Sequence, residues 1–270
     1  MQTTFIGGGV MAEAILSRAI AGNVLAGSDI CVAEPIADRR AYLADTYGVA
    51  VSDDNVAAVK GAGLVVLSVK PQHFASAAGP LKGKLGSDQT ALSIIAGLTI
   101  ATISGALGHD AIVRVMPNTP AQIGEGMSVW TETEAVSADA QAAAKALLGV
   151  LGIEWQVADE HYLDMATALS GSGPAYVFAF IESLVEAGVY MGMPRDMATT
   201  LAVQTVVGSA KLVSETGENP SLLRERVTSP GGTTAEALRE LERHGFRSTI
   251  IEAVAAAHRR SSQEDCIGAR

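Results

Sequence analysis

Short runs of β-branched and other apolar residues alternate with helical patterns over the first 159 residues of the chain. The runs predict strands at Thr3–Ile6, Asp29–Glu34, Val49–Ser52, Leu64–Val69, Ala91–Ala96, Ile112–Met116, Met127–Thr131 and Ile153–Val157. Between them the apolar positions follow a helical period, as in Ala12–Ala21, Ile36–Tyr47 and Ala138–Leu151. This alternation is typical of an α/β domain, in which helices cover both faces of a parallel sheet.

From about His161 onward the strand pattern stops, and long helical patterns separated by Gly or Pro follow. We therefore predict two domains, an α/β domain over residues 1–159 and an all-helical domain over residues 160–270. In the second domain, Pro174–Met193 is apolar nearly all round, with a thin polar strip around Glu182, Ser183 and Glu186. Such a helix is buried on nearly all sides. We expect two subunits to share it in a two-fold dimer; the alternative is the central helix of a monomeric bundle.

The first strand leads into Gly7-Gly8-Gly9-Val10-Met11-Ala12, which has the pattern G-x-G-x-x-A at a strand-to-helix turn. In this pattern Gly7 allows a tight turn, Gly9 lets the backbone approach a pyrophosphate, and the helix N-terminus offers free N–H groups. Glu34 ends the second strand, where such folds bind a ribose. A dinucleotide is the expected ligand; a glycine-rich turn without a ligand is the alternative.

The loops after the fourth, fifth and sixth strands are expected at one edge of the sheet, where ligands of open parallel sheets bind. They read Val69-Lys70-Pro71-Gln72, Ala96-Gly97-Leu98-Thr99 and Met116-Pro117-Asn118-Thr119-Pro120. The prolines fix the backbone, and a glycine leaves room for a flat ring. We expect a shared nicotinamide pocket, although each loop alone also fits ordinary turn chemistry.

Another candidate lies in the helical half, in the segment Val227–Glu236. Thr233 and Glu236 have the spacing of a capping box, and Gly245 is placed to end the helix that begins there. The same helix start carries residues that a cap does not require, namely Ser229, Gly231, Gly232 and Thr234. Because hydroxyls and backbone N–H groups converge here, we favour a carboxylate-binding site over a purely structural cap.

Composition and charge limit the classes of partner that we expect for this chain. The formal net charge of −10 and the isolated basic doublets Arg39-Arg40 and Arg259-Arg260 argue against nucleic acid. Cys31, Cys266 and the five histidines show no disulfide framework or metal-ligand spacing, so no metal is expected. The N-terminus lacks the pattern of a secretion signal, and no apolar stretch reaches the roughly 18 residues of a membrane span. We expect a cytoplasmic protein without membrane contact.

Several catalytic motifs are absent from the chain, which limits the classes of reaction that it can catalyse. The chain contains no Gly-x-Ser-x-Gly elbow and no Walker loop, and no Ser-His-Asp order or paired carboxylates can be picked out. Hydrolysis and phosphoryl transfer therefore lack candidates. Hydride transfer remains, because it asks the protein mainly to position a cofactor and a substrate.

Six segments together resemble the pyrroline-5-carboxylate reductase family. They are Gly7–Ala12, Val69–Gln72, Ser93–Gly97, Arg114–Pro120, Gly171–Tyr176 and Ser229–Thr234, and the resemblance runs from residue 1 to about residue 258. It implies a Rossmann domain followed by a helical dimerisation domain, with the active site where the two meet. It also implies NADPH- or NADH-dependent reduction of 1-pyrroline-5-carboxylate to L-proline, the last step of proline biosynthesis.

The same resemblance implies roles for single residues. The dinucleotide would be held by Gly7, Gly8, Gly9, Val10, Met11, Asn55, Val69, Lys70 and Pro71, with Ala96, Gly97 and Asn118 near the nicotinamide. The pyrroline substrate would be held by Ser229, Gly231, Gly232, Thr233 and Thr234. Thr234 is the expected catalytic residue, because its hydroxyl would contact the ring nitrogen and assist protonation of the imine.

Two questions stay open at this point. A β-hydroxyacid dehydrogenase has the same architecture but needs a catalytic lysine after the first domain, and Lys211 is the only lysine of the helical half. A non-catalytic dinucleotide-sensing protein is a second alternative. As for the cofactor, Glu34 suits an unmodified ribose and repels a 2′-phosphate. Arg39 and Arg40 follow one helical turn later and could still swing toward the phosphate, so NADPH is not excluded. We expect NADH to be accepted at least comparably with NADPH.

Overall fold

A computed structural model describes residues 1–264 of the chain. The chain divides into two compact units, one formed by Met1–Ser172 with the chain from Ala257 onward, the other by Gly173–Ala256. The predicted α/β region and the predicted helical region are both confirmed as folds. Cys266 and most of the tail after Arg260 lie outside the described residues.

All the predicted strands form, and in the described chain they build one eight-stranded sheet in the order β3-β2-β1-β4-β5-β6-β7-β8. The strands are β1 Thr3–Ile6, β2 Ile30–Ala33, β3 Ala50–Ser52, β4 Leu64–Leu67, β5 Thr90–Ser93, β6 Ile112–Met116, β7 Gly126–Glu132 and β8 Gly152–Gln156. The order changes direction at β1, which pairs in parallel with both β2 and β4. This is the switch point at which open α/β sheets bind ligands.

The prediction of a wholly parallel sheet is wrong at two strands, β7 and β8, which are parallel to each other and run opposite to β1–β6. β7 runs antiparallel to β6, and Val115 lies opposite Trp130. The reason is the connection, which contains only a short 3-10 turn, Thr119–Ile123, between the two strands. A parallel pair needs a crossover of a dozen or more residues, usually a helix.

The helices occur in both units. They are α1 Val10–Ala21, α2 Ala37–Tyr47, α3 Asn55–Ala58, α4 Phe74–Ala78, α5 Ile100–Leu107, α6 Ala138–Gly149, α7 His161–Ala166, α8 Gly173–Tyr190, α9 Arg195–Thr216, α10 Pro220–Arg226, α11 Thr233–Arg243 and α12 Phe246–Glu264. A π-helical segment, Thr167–Gly171, follows α7. The predicted helices of the first half therefore form within about two residues of their expected bounds.

The sheet separates two hydrophobic cores. On one face Phe5, Val32 and Trp130 pack with residues of α1 and α6. On the other face Val65 and Leu67 pack with residues of α3, α4 and α5. β4 is buried along its whole length, as its run of four apolar residues predicts.

The second unit contains little core of its own. Val185 of α8 packs on Ala198 and Ala202 of α9, and these form the hydrophobic cluster found there among the described residues. By contrast, the α8 side chains of Val177, Phe178 and Phe180 are 44%, 61% and 42% exposed. A single chain therefore does not bury this apolar helix.

The helical run His161–Tyr190 also satisfies the length and composition of a membrane-crossing helix, with a mean hydropathy of 1.2. The expectation that no apolar stretch reaches the length of a membrane span is therefore wrong for this run. A single helix of this kind is weak support for a membrane span, because helices buried inside globular proteins pass the same test.

Candidate active site

The turn between β1 and α1 brings bare backbone to the edge of the sheet. Gly7 has φ +98°, and a Cβ there would lie 2.8 Å from Cγ1 of Val69, so only glycine fits. Gly9 precedes α1, and a Cβ on it would meet no atom within 4 Å. The first N–H groups of α1 have no partner within the helix. The turn therefore offers an open, positively polarised surface to an anion.

A cavity of about 700 Å³ opens beside this turn. Its walls come from the ends of β1 to β4 and the segments after them: Ile6, Gly7, Gly9, Ala33, Glu34, Pro35, Ile36, Asp53, Asp54, Asn55, Ser68, Val69, Lys70, His73, Ser76, Ala77 and Pro80. Six residues of the predicted cofactor site are brought together here, namely Gly7, Gly9, Glu34, Asn55, Val69 and Lys70. The other predicted cofactor residues lie outside this lining: Gly8, Val10, Met11, Pro71, Ala96, Gly97 and Asn118.

Glu34 follows β2 directly and is 9% exposed. Its Oε2 accepts a hydrogen bond from the N–H of Gly8 at 2.8 Å, and its Oε1 accepts one from the N–H of Ile36 at 3.1 Å. Each carboxylate oxygen keeps a free lone pair, since it can accept two bonds. The side chain can therefore fix the loop and still accept a bond from a ribose hydroxyl.

The two arginines after Glu34 are engaged with the chain itself. Arg39 donates from Nε to the carbonyl oxygen of Gly8 at 2.7 Å and from Nη2 to Glu13 at 2.5 Å. Arg40 donates from Nη1 to the carbonyl oxygens of Glu34 and Pro35 at 2.7 and 2.9 Å. Neither residue is among those that line the cavity. Arg40 Nη2 also lies 3.7 Å from Oδ2 of Asp53, so one carboxylate of the lining is paired with a guanidinium, whereas Glu34 is held by backbone N–H groups.

Sequence reasoning missed several residues of the lining. Asp53 and Asp54 follow β3, Ser68 follows β4, and His73 belongs to the short turn after Lys70. The Ser68 hydroxyl donates to the carbonyl oxygen of Gly7 at 2.8 Å and so supports the turn from β4. The order β3-β2-β1-β4 places the ends of these strands side by side, so a complete topology would have pointed to them.

Asn55 and Lys70 differ in how free they are. Asn55 opens α3 and donates from Nδ2 to the carbonyl oxygen of Ala77 at 3.2 Å. Lys70 is exposed, and within residues 1–264 its ammonium forms no ion pair. Lys70 is thus a cation at the cavity that is available to a ligand.

The residues predicted near the nicotinamide lie at the ends of β5 and β6. Ala96 is half-buried, and Gly97 is buried. The side-chain amide of Asn118 is used by the protein: Oδ1 accepts from the N–H of Met127 at 2.9 Å, and Nδ2 donates to the carbonyl oxygen of Ser170 at 3.1 Å. Asn118 therefore ties the end of β6 to the π-helical segment.

The carbonyl oxygen of Ser170 can accept the hydrogen bond from Asn118 because a proline, Pro174, lies four residues later in the chain. In a regular helix it would accept from the N–H of residue 174, but Pro174 has no N–H. The chain instead widens into the π-helical segment, in which Ser172 donates to the carbonyl oxygen of Thr167 at 2.7 Å.

A buried arginine fixes α7 against the same strand. Arg114 of β6 is 3% exposed and contacts Glu160 at 2.7 Å and Asp164 at 3.2 Å. Glu160 also accepts from the N–H of Ile100 at the start of α5, at 2.6 Å. This network joins β6, α5 and α7 behind the segment that carries Asn118.

In the other unit, the helix start predicted to bind a carboxylate differs from expectation in one respect. The predicted capping box of Thr233 and Glu236 is wrong: Gly232 is the N-cap, Thr233 is already the first residue of α11, and Glu236 pairs with Arg239 at 2.6 Å. Gly231 has φ +67°, and the N–H of Gly232 donates to the carbonyl oxygen of Ser229 at 3.0 Å. This glycine turn starts the helix one residue earlier. The expected end is confirmed, since α11 stops at Arg243 and Gly245 has a positive φ.

The early start leaves polar groups free at this end of α11. The hydroxyls of Ser229, Thr233 and Thr234 form no hydrogen bond with another residue of the described chain, and Thr234 is half-buried. The first N–H groups of an eleven-residue helix lie beside them. Hydroxyls and helix N–H groups in this combination suit a carboxylate.

Comparison with known proteins covers both units. Residues 160–264 match the family model described as pyrroline-5-carboxylate reductase dimerisation, and residues 2–97 match that of NADP oxidoreductase, coenzyme F420-dependent. A pyrroline-5-carboxylate reductase of Synechocystis sp. is 46% identical and one of Arabidopsis thaliana is 42% identical. The alignments cover 97% and 96% of this chain and 98% and 94% of those proteins.

Solved structures agree with these relatives. The chain is similar to a pyrroline-5-carboxylate reductase from Coxiella burnetii, with a TM-score of 0.89, 36% identity and coverage of 97% of this chain and 98% of the other. It is equally similar to Plasmodium falciparum pyrroline carboxylate reductase with NADP bound, with a TM-score of 0.89, 30% identity and coverage of 98% of both chains.

Fold, cavity and matches together define the class: an NAD(P)-dependent oxidoreductase with a Rossmann-type domain and a helical region that matches a dimerisation domain. The identity extends over nearly the whole length of curated relatives. The chain belongs to the pyrroline-5-carboxylate reductase family. The match of its helical region to a dimerisation domain supports self-association, and its membership of this family supports a small-molecule substrate.

Proposed function

We propose that this protein reduces 1-pyrroline-5-carboxylate to L-proline with NADH or NADPH. The observation that carries the proposal is identity of 46% and 42% to two curated pyrroline-5-carboxylate reductases over at least 96% of the chain, which includes both predicted domains. We keep the division into residues 1–159 and 160–270, which the match of the dimerisation model from residue 160 supports.

The dinucleotide occupies the cavity beside the β1–α1 turn in this proposal. The open backbone at Gly9, the first N–H groups of α1 and the free ammonium of Lys70 fit a pyrophosphate, and the carboxylate of Glu34 fits a ribose. Gly7, Gly8, Val10, Met11, Asn55, Val69 and Pro71 complete the proposed set, with Ala96, Gly97 and Asn118 near the nicotinamide. When bound, the reduced nicotinamide supplies the hydride that reduces the imine carbon.

The helix start of α11 holds the substrate in this proposal. Ser229, Gly231, Gly232 and Thr233 bind the carboxylate, and Thr234 donates its hydroxyl toward the ring nitrogen. The free hydroxyls and helix N–H groups support these roles. Thr234 orients the imine and assists delivery of a proton to nitrogen while the adjacent carbon is reduced.

NADH is accepted at least comparably with NADPH in this proposal. Glu34 and Asp54 line the cavity without an ion pair in the described chain, and Asp53 lines it paired with Arg40 at 3.7 Å, so a 2′-phosphate there would meet carboxylates. The bonds that Arg39 and Arg40 make to their own chain support the same preference, because they leave no guanidinium in the lining. The structure bound to NADP in Plasmodium falciparum belongs to a relative that is 30% identical.

We further propose that the protein works as a homodimer, or as a larger oligomer built from dimers, in the cytoplasm. The exposed apolar side chains of α8 and the match to a dimerisation domain support the dimer. The same pairing accounts for the hydropathy of His161–Tyr190 without a membrane.

The test is an assay with the purified protein, 1-pyrroline-5-carboxylate and either reduced cofactor. We expect cofactor oxidation that depends on the substrate and yields proline. Folded protein that binds the dinucleotide without turnover would favour the sensing alternative, and oxidation of a β-hydroxyacid with oxidised cofactor would favour the dehydrogenase alternative. Either result in place of imine reduction contradicts the proposal.

A further inference from the structure

The peptide groups of Gly8 are held by charged side chains on both sides. The N–H of Gly8 donates to Glu34 Oε2 at 2.8 Å, and its carbonyl oxygen accepts from Arg39 Nε at 2.7 Å. Both partners come from the segment that ends β2 and begins α2. The glycine also packs tightly, since a Cβ on it would lie 2.8 Å from Cδ1 of Leu43. Gly8 is thus fixed by two hydrogen bonds and by van der Waals contact.

The two hydrogen bonds to Gly8 are important because the turn cannot restrict its own backbone. Gly7, Gly8 and Gly9 are consecutive, so no side chain of the turn restricts its backbone. Glycine loses more conformational freedom on ordering than any other residue. The ordering that a dinucleotide requires must therefore come from neighbouring elements.

Arg39 is itself held by a second layer of side chains. Its Nη2 contacts Glu13 Oε2 at 2.5 Å, and Glu13 Oε1 accepts from the hydroxyls of Tyr47 and Tyr42 at 2.7 and 3.0 Å. The guanidinium lies over the ring of Tyr42, 5.1 Å from its centroid. The side chains of Arg39 and Glu13 are 26% and 22% exposed, so the pair is partly shielded from water. α1 and α2 are thereby joined behind the turn.

Glu13 keeps its charge in this setting. Burial would raise the pKa of Glu13, but the hydrogen bonds from Tyr47, Arg39 and Tyr42 outweigh it and lower the pKa below its usual value. Glu13 is therefore ionised at neutral pH and holds the guanidinium of Arg39 with a full charge.

We propose that Arg39 and Glu13 are positioning residues for the dinucleotide. They set the peptide of Gly8 so that the N–H groups of Gly9 and Val10 face the pyrophosphate, while the N–H of Gly8 is occupied by Glu34. The pair acts on the part that NADH and NADPH share. This inference rests on the proposed function for its kinetic consequence only, because its first readout is dinucleotide binding.

The test is the affinity of the folded protein for NADH and for NADPH, measured by fluorescence titration without substrate. Arg39→Lys keeps the charge but loses the planar fork that reaches Gly8 and Glu13 together. We expect its Kd to rise about fivefold or more for both dinucleotides, and KM for the dinucleotide to rise in proportion. The kcat and the KM for the pyrroline substrate should change less than about twofold.

Two further variants sharpen the interpretation. Arg18→Lys makes the same replacement in α1, where Arg18 contacts the carbonyl oxygen of Val150 at 3.4 Å, and should leave both Kd values unchanged. Glu13→Gln should weaken dinucleotide binding in the same direction as Arg39→Lys. The double variant Glu13→Gln/Arg39→Lys should lose less than the product of the single losses, because the residues act as one unit.

Three outcomes would overturn the proposal. Unchanged Kd values in a folded Arg39→Lys protein would show that the pair does not position the turn. A lower Tm without weaker binding would make the pair purely structural. A loss confined to NADPH would mean that Arg39 binds the 2′-phosphate. Absence of turnover in the unmodified protein would contradict the proposed reaction but leave these binding results interpretable.

Discussion

At the scale of single residues, Thr234 tests the chemistry most directly. Its hydroxyl has no partner in the described chain, so its replacement removes little from the folded protein. We expect Thr234→Ala to lower kcat/KM between about twofold and about 150-fold, which corresponds to a loss of about 0.5–3 kcal/mol of transition-state stabilisation. The Kd for the dinucleotide should be unchanged. Steady-state kinetics and titration of the dinucleotide measure the two effects separately.

The conservative variant serves as the control for that measurement. Thr234→Ser keeps a hydroxyl at the same place and should retain most of the activity. Equal kcat/KM in the unmodified protein and in Thr234→Ala would make Thr234 a structural residue of the helix start and contradict its assignment.

Substitution of Glu34 tests the predicted preference between NADH and NADPH. Glu34→Ser removes the negative charge that repels a 2′-phosphate, so the ratio of kcat/KM values should shift toward NADPH by about tenfold or more, about 1.4 kcal/mol. Because Glu34 also holds the N–H of Gly8, the absolute kcat/KM should fall with both cofactors. Kinetics with NADH and NADPH give both quantities.

Glu34→Gln separates the two roles of this side chain. Its amide oxygen can still accept from the N–H of Gly8, but the charge is gone. It should therefore shift the ratio toward NADPH with a smaller loss of overall efficiency than Glu34→Ser. A strong native preference for NADPH that neither variant alters would show that Glu34 does not face the ribose.

These residues also show how far the sequence reaches. Glu34 and the glycines of the turn could be recognised because they lie at the ends of predicted strands, at positions with known chemistry. The contact between Arg39 and the carbonyl oxygen of Gly8 joins residues 31 positions apart. No local pattern specifies such a contact, because it depends on how α2 packs against the turn. From the sequence Arg39 could reach a 2′-phosphate, whereas in the structure its guanidinium contacts Gly8 and Glu13.

At the scale of elements, every strand could be predicted from its run of apolar residues, but the reversed direction of β7 and β8 could not. A strand has the same alternating pattern in either direction, and direction follows from the length of the connection. The helix start at Thr233 shows the converse case. The spacing of Thr233 and Glu236 fits a capping box, but the positive φ of Gly231 sets the start one residue earlier.

At the scale of the whole molecule, the helical unit is the part that a single chain leaves incomplete. Burying a large apolar side chain contributes about 1.5–3 kcal/mol, whereas ordering each residue costs about 1–2 kcal/mol. The buried cluster of Val185, Ala198 and Ala202 is small against that cost. Additional burial must come from self-association.

We therefore expect light scattering at micromolar concentration to give the mass of a dimer or of a multiple of it. Phe178→Glu places a charge on the exposed face of α8 and should shift the protein toward monomers with a lower Tm. Ala142→Glu makes a comparable change on the exposed side of α6 and should alter neither quantity. A monomer for the unmodified protein would contradict the burial argument.

The exposed side chains of α8 also have a consequence for the life of the protein in a cell. The rate at which the proposed dimer assembles depends on the square of the concentration of free chains, so each newly made chain spends time as a monomer. During that time Phe178 and Phe180 present an apolar surface to chaperones, proteases and other unfinished chains. Low expression therefore lengthens the vulnerable interval, and the abundance of the enzyme falls faster than its rate of synthesis.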